Sequence, residues 1–325
     1  FPVDVPGHVA GGYLERPTTY TVPGTGETRT ILLHVWYPAE AVDGPHPRHH
    51  DLFEDPDAVI NAPPLDPVGE RYPVMVYSHG DRGFAGTSAF LMSHFARHGW
   101  LAVAPDHEGN LLTANARGEL VAHYIERPAD ITATLDALDA LPGAAPLSRG
   151  DFDRVVLTGH SRGVYTLWAA TGATYDLDAI AANRPDATEA ERAAFAAGLG
   201  DPRVAVAIGL AGAYREAWFG PEGFRTATVP WQVQSGTADN PDDMAAMFDL
   251  MQGFPLTWVE LEGGCHQTFA LGRCPTLDPA LGFHIVATHA LAFARHHLLG
   301  DDDPRTLAII DGSESIDPAV TVRRH

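Results

Sequence analysis

The chain has 325 residues, 45% hydrophobic and 19% charged, within the range of soluble globular proteins able to bury a large core. Its 42 acidic residues against 21 basic ones give a net charge of -21, and every basic residue is Arg, so a phosphate-binding face for nucleic acid is not expected. No apolar stretch approaches the roughly 18 to 20 residues that cross a bilayer, so no membrane span is expected.

Residues 1–28 are rich in Gly, Pro and Thr, with no basic or apolar targeting region at the start. The aromatic and β-branched run RTILLHVWYPA (29–39) predicts a strand stopped by Pro38. Breakers and charge across 40–70 predict a surface excursion, where His46, His49 and His50 lack ligand spacing and fit a solvated loop. From residue 72 strands and helices alternate: strand 72–80 ending in a turn, helix 88–99, strand 100–109, helix 129–143, strand 154–159, then an Ala-rich helix after Ser161. Residues 172–200 predict an Ala/Glu-rich helical insertion that caps the sheet or lies on its flank. Strands at 203–212, 229–236 and 256–263 follow, with a helix over about 242–251 and a closing helix over about 283–299. Cys265 and Cys274 lie in a Gly-rich polar loop, where a disulfide worth roughly 2 to 3 kcal/mol would favour an oxidising compartment. A secreted or periplasmic protein is therefore expected, with a cytoplasmic one left open. The tail, 300–325, offers TLAII as an extra strand. This alternation predicts an α/β fold: one domain over 1–325, with a mostly parallel central sheet flanked by helices on both faces.

VVLTGHSRGVY (155–165) places Ser161 between Gly159 and Gly163 at a strand-to-helix turn. Such a turn lifts a serine Oγ clear of the sheet, and the glycines permit the close approach of strand and helix. A serine nucleophile needs a histidine base and an acid to orient it, each in a loop after a later strand. Asp239 in WQVQSGTADNPDD follows a strand directly, whereas Asp242 and Asp243 suit the first turn of a helix after Pro241. Of the later histidines, His266 in ELEGGCHQTF sits in a loop just past a strand; His284, His289, His296, His297 and His325 fall on the last helix or the tail. An oxyanion hole would take the backbone N–H of Arg162 and, from the turn after VMVYSHG, that of Asp81, with His79 and Gly80 shaping the turn.

YSHG, GHSRG, SGTADN and GCH, in that order, resemble the α/β-hydrolase superfamily over roughly residues 25–300. Within it the chain is similar to serine esterases related to platelet-activating-factor acetylhydrolases and dienelactone-hydrolase-like proteins, with cutinase-like polyester hydrolases as neighbours. Two positions depart from the pattern: Val164 stands where many relatives have glycine, and Asp81 where an apolar or aromatic residue is common. Dienelactone hydrolases proper use Cys as nucleophile, so Ser161 argues against that activity.

The resemblance implies a serine carboxylic-ester hydrolase working through an acyl-enzyme on short to medium acyl esters. The alternatives are a polyester hydrolase or lipase, an acyltransferase, and, most remotely, a binding protein on a hydrolase scaffold. Arg82 and Arg162 are candidates for holding an anionic substrate group or for pairing with Asp81. Phe84, Tyr214, Trp218, Phe219 and Trp231 are candidates for an apolar platform at the site, with core packing the competing reading, strongest for Trp231. A small-molecule or polymeric ester is the expected partner, and no protein partner is implied. No cofactor and no metal are implied, although Asp106 and Glu108 in PDHEGN offer oxygen ligands to a cation.

Overall fold

The computed structural model describes residues 1–113, 120–140 and 146–325. The chain opens with β1 (Ala10–Thr21) and β2 (Thr28–Ala39), paired antiparallel along their whole length. The excursion that follows holds a ribbon of β3 (Arg48–His49) and β4 (Phe53–Glu54), then β5 (Ala58–Ile60), which joins β1 in parallel. Then come β6 (Tyr72–Ser78), α1 (Ala89–Arg97), β7 (Leu101–Pro105), α2 (Ala122–Asp139), β8 (Gly150–His160) and α3 (Arg162–Ala170). The insertion forms α4 (Leu177–Asn183) and α5 (Glu189–Ala197). The second half holds β9 (Val204–Leu210), α6 (Glu216–Phe219), β10 (Trp231–Gly236), α7 (Pro241–Leu250), β11 (Leu256–Leu261), α8 (Pro279–Leu299), α9 (Pro304–Asp311) and β12 (Val320–Arg324).

Among the described residues all of these strands except β3 and β4 form one ten-stranded sheet in the order β12, β11, β10, β9, β8, β6, β7, β2, β1, β5. β6 to β11 run parallel, and β12 and β2 pair antiparallel with the strands beside them. Both faces are covered, as a parallel sheet requires. Along β6, Val74 and Val76 point into a core with α2, α3 and α7, whereas Met75 and Tyr77 point into a second core with α1 and α8. The chain goes from β6 to β7 on one side and then returns to β8 on the other. Strand order reverses there, and the connections leaving the C-terminal ends of β6 and β8 pass to opposite faces of the sheet, α1 on one and α3 on the other. No described helix is long and apolar enough to cross a membrane.

Four elements differ from the sequence reading. β1 occupies residues for which only composition was legible; Pro17 lies within it but outside the Gly11–Tyr13 stretch that pairs with β5, so its missing N–H faces an open edge. α2 begins well before residue 129 and contains Pro128, and residues 141–143 of the predicted helix lie outside the described residues. A proline there removes the helical donor to the Tyr124 carbonyl, which accepts instead from the Tyr165 hydroxyl at 2.8 Å. The expected strand at TLAII is helical: Asp303 caps α9 through the amides of Arg305 and Thr306, and the tail's strand is β12. α8 starts at Pro279, capped by Asp278, four residues ahead of the predicted start. Of the two placements open to the insertion, α5 takes the flank, packed on α2 with Ala194 against Gly24.

Candidate active site

Ser161 is forced into an unusual conformation, φ 55° and ψ -116°, on the turn between β8 and α3. A non-glycine residue holds such a backbone only where its surroundings over-determine it. Here the Ser161 amide donates to the Leu210 carbonyl of β9 at 2.8 Å, and the Ser161 carbonyl accepts from Val164 at 3.0 Å. The flanking glycines are sterically required: a Cβ on Gly163 would fall 2.1 Å from the Ser78 carbonyl oxygen, and one on Gly159 2.7 Å from the Gly163 backbone. Val164, the departure noted above, is accommodated by its neighbours, because Cβ atoms on Gly209 and Gly212 would lie 3.3 and 2.6 Å from its methyl carbons.

Two neighbouring loops bring an acid to a histidine. After β10 and β11 the backbones zip together: Thr237 N donates to Leu261 O at 3.0 Å, Ala238 N to Gly264 O at 2.8 Å, and Gly263 N to Thr237 Oγ1 at 2.8 Å. The result places His266 Nδ1 2.9 Å from Asp239 Oδ2, with the carboxylate largely buried and the ring about one-third exposed. With Nδ1 engaged, Nε2 is the ring nitrogen available to a hydroxyl. A disulfide joins Cys265 to Cys274 and ties down the same loop. Asp242 and Asp243 are exposed in the first turn of α7, as their sequence context suggested.

His160, next to Ser161, was not singled out by sequence. Its ring lies 4.7 Å from that of His266, and its Nε2–H donates to the His266 carbonyl at 3.1 Å. Burial, reinforced by the nearby His266, pushes its pKa down to about 3, so it is neutral and serves as a fixed donor bridging the β8 turn and the His266 loop.

The turn after β6 is closed by Gly83 N donating to Gly80 O at 3.1 Å, with Arg82 at φ 49°. A Cβ on Gly80 would sit 3.2 Å from Ser161 Cβ, which sets this turn directly against the β8 turn. His79 Nε2 accepts from the His107 amide at 3.0 Å, so Nδ1 carries the proton and donates to Gly80 O at 2.8 Å. His79 and His107 are completely buried, and desolvation drives both pKa values far down. Beneath them His107 links Ser78 Oγ at 2.9 Å to Asp130 Oδ2 at 2.8 Å. Asp81 accepts from Asn110 Nδ2 at 2.8 Å and lies 3.3 Å from Arg162 Nε and 3.6 Å from Arg82 Nε. Partial burial opposes its ionisation, but the Asn110 hydrogen bond and the arginine charges hold its carboxyl below the usual range.

The candidate substrate residues separate. Both arginines meet Asp81, as the pairing alternative had it, and Arg82 stays exposed. The apolar-platform reading is corrected for Trp231, which is completely buried at the far end of β10 and stacked on Trp168 at 3.7 Å. Tyr214, Trp218 and Phe219 are buried too, because the segment after β9 folds back onto α2 and α3: Trp218 stacks on Tyr124 at 3.8 Å, Phe219 on Tyr165 at 5.4 Å, and the Tyr214 hydroxyl donates to Gly220 O at 2.7 Å. Phe84 is buried beneath the His50 ring at 4.5 Å. Two exposed apolar side chains lie on loops tied to the segment after β6: Leu112, whose amide donates to Gly83 O at 3.3 Å, and Leu271, whose amide donates to Thr87 O at 2.8 Å. Asp106 is committed to the Ala85 amide at 2.7 Å and to His34 at 3.2 Å; burial opposes ionisation, yet His34 and Ala85 hold its pKa at about 2. Glu108 is exposed, and among the described residues no group of three or more His, Cys, Asp or Glu is arranged to hold a metal.

The sheet order and the four loops at its C-terminal edge define an α/β-hydrolase fold. A family model described as Chlorophyllase matches residues 39–181, the stretch carrying the β6 and β8 turns. A solved ferulic acid esterase from Streptomyces cinnamoneus is similar over 99% of this chain and 98% of its own, with a TM-score of 0.66 at 20% identity. No curated protein matches the sequence. Fold and family match together support a carboxylic-ester hydrolase.

Proposed function

We propose that the chain is a serine esterase of the α/β-hydrolase type, and the observation that carries the reading is the 2.9 Å His266–Asp239 pair on loops adjoining the strained Ser161 turn. Ser161 Oγ attacks the ester carbonyl carbon as its proton passes to His266 Nε2, and Asp239 stabilises the imidazolium. The amides of Arg162 and Asp81 hold the oxyanion of the tetrahedral intermediate. Collapse expels the alcohol, which takes the proton from His266 and leaves an acyl group on Ser161. Water, deprotonated by His266, then attacks the acyl-enzyme and releases the acid.

Short to medium acyl esters are the proposed substrates. The exposed Leu112 and Leu271 support a second reading, in which the acyl or alcohol part is bulky and apolar, including polyester chains and aromatic esters of the kind the Streptomyces neighbour's name denotes. The disulfide supports secretion. The test is p-nitrophenol release from acetyl, butyryl, octanoyl and palmitoyl esters, with methyl ferulate and polyester film alongside, by wild type and Ser161→Ala. The reading predicts turnover that vanishes in folded Ser161→Ala; equal turnover in the two would refute it.

A further inference from the structure

One buried cation grips the turn that would supply the second oxyanion donor. Arg127 on α2 is 1% exposed, and its hydrogen bonds go to neutral acceptors instead of a carboxylate. Nη1 donates to Asn110 Oδ1 at 2.7 Å, Nη2 to Ser78 Oγ at 3.3 Å and to the His79 carbonyl, and Nε to Thr166 Oγ1 at 3.3 Å. Removing a guanidinium from water is costly, and an apolar side chain of similar volume would fill a purely structural site more cheaply. What the planar fork offers is geometry, because its donors diverge at fixed angles.

We propose that Arg127 is a positioning residue for ester hydrolysis, with Asn110 as its relay, together fixing the Gly80–Asp81 peptide whose N–H faces the oxyanion. The inference rests on the acyl-transfer reading above. The segment is held at each successive point. Arg127 takes the His79 carbonyl and so fixes the peptide before Gly80. The Gly80 carbonyl, which belongs to the same peptide as the Asp81 N–H, accepts from both His79 Nδ1 at 2.8 Å and Gly83 N at 3.1 Å. Asn110 then passes the grip from Arg127 Nη1 to Asp81 Oδ1. The aspartate that departs from the apolar or aromatic pattern thereby has a role: its carboxylate is the handle by which a buried arginine holds the turn from both sides of Gly80. Arg127 touches no reacting atom, so its contribution is confined to the placement of the donor.

The experiment uses the full chain with Arg127→Met, Arg127→Lys, Asn110→Ala and the Arg127→Met/Asn110→Ala double variant. It measures kcat and KM on p-nitrophenyl butyrate and affinity for phenylboronic acid, which forms a tetrahedral serine adduct. Assays run well below each variant's melting temperature. A displaced donor is expected to lower kcat about 100-fold in Arg127→Met and about 10-fold in Asn110→Ala, with KM within about twofold and boronate affinity falling in proportion. Lys keeps the charge but not the fork and should fall between Met and wild type. The double variant should be no worse than Arg127→Met, since the two residues act through one chain. Wild-type kcat and boronate affinity in the folded variants would overturn the proposal, and if the Arg127 variants do not fold, Asn110→Ala alone decides it by the same criterion. If Ser161→Ala still turns over ester, the acyl-transfer reading itself fails; if Ser161→Ala is inactive while the Arg127 and Asn110 variants behave as wild type, only this inference does.

Discussion

Replacing Gly163 with Ala tests whether the Ser161 turn is set by backbone contact between α3 and β6. The added Cβ would lie 2.1 Å from the Ser78 carbonyl oxygen and 3.0 Å from its carbon, whereas even close carbon–oxygen contacts run at about 3.3 Å. Both groups are fixed, one by the start of a helix and one by the backbone of a central strand, so α3 must move off the sheet by about 1 Å. Overpacking of this kind costs about 1 to 3 kcal/mol. An unfolding entropy of roughly 2.1 cal/mol/K per residue over a chain of this length converts that cost into a fall in Tm of about 2 to 4 °C. Catalysis should suffer far more, because Ser161 rides on the displaced turn and a 1 Å misplacement costs about 100-fold in rate. Thermal melts and p-nitrophenyl butyrate turnover on the same preparation separate the two effects. Turnover within twofold of wild type, with Tm unchanged, would refute the argument.

Asp239→Asn should lower kcat by about 10,000-fold, because an amide cannot hold the histidine tautomer or its charge, whereas Asp242→Asn and Asp243→Asn should stay within twofold of wild type by the same assay. Burial is the leading cause that depresses His94 and His160 to about 3 and His49, His123 and His289 to about 4. A histidine kept neutral in the folded state contributes stability that is complete above its unfolded pKa near 6.5 and is lost as pH falls towards the folded value. Stability should therefore decline between about pH 6.5 and 4, at up to roughly 1.4 kcal/mol per pH unit for each such histidine. Neither ring nitrogen of His289 has a hydrogen-bond partner, so His289→Leu should flatten the pH dependence of Tm without changing kcat. Opening the ten-residue ring closed by Cys265 and Cys274, through the double Cys→Ser variant, should remove about 3 kcal/mol, seen as a Tm lower by about 4 °C. A drop in kcat with KM little changed should accompany it, because the ring restrains the His266 backbone.

The parallel half of the fold was legible because buried strands read as apolar runs and helices as 3.6-residue periods between them. Ser161, Asp239 and His266 stand out as candidates for the same reason: each follows a readable strand, in a loop whose glycines mark a close backbone approach. β1 was not legible, because only its first residues are buried and the rest alternates weakly around Pro17. TLAII reads as a strand because five consecutive apolar or β-branched residues have no period, and the signal that decides for helix α9 is the Asp303-Pro304 cap before them. Sequence order puts the aromatic residues after β9 beyond a strand's C-terminal end, and so near the site. It does not reveal that this segment turns back to pack on Tyr124 and Tyr165. Arg127 left a readable trace: it shares the buried helical face of His123, Asp130, Ile131 and Thr134, and a charge in core phase marks a polar network beneath a site.

The central claim, a covalent acyl transfer at Ser161, is tested most directly by labelling the intact protein with a fluorophosphonate and locating the adduct by peptide mass spectrometry, while pre-steady-state p-nitrophenol release is followed on unlabelled enzyme. The account predicts one equivalent of label, on Ser161, with activity lost in step and a burst of one nitrophenol per site before steady turnover. Ester hydrolysis that continues in fully labelled protein, or label on a different residue with Ser161 unmodified, would contradict it.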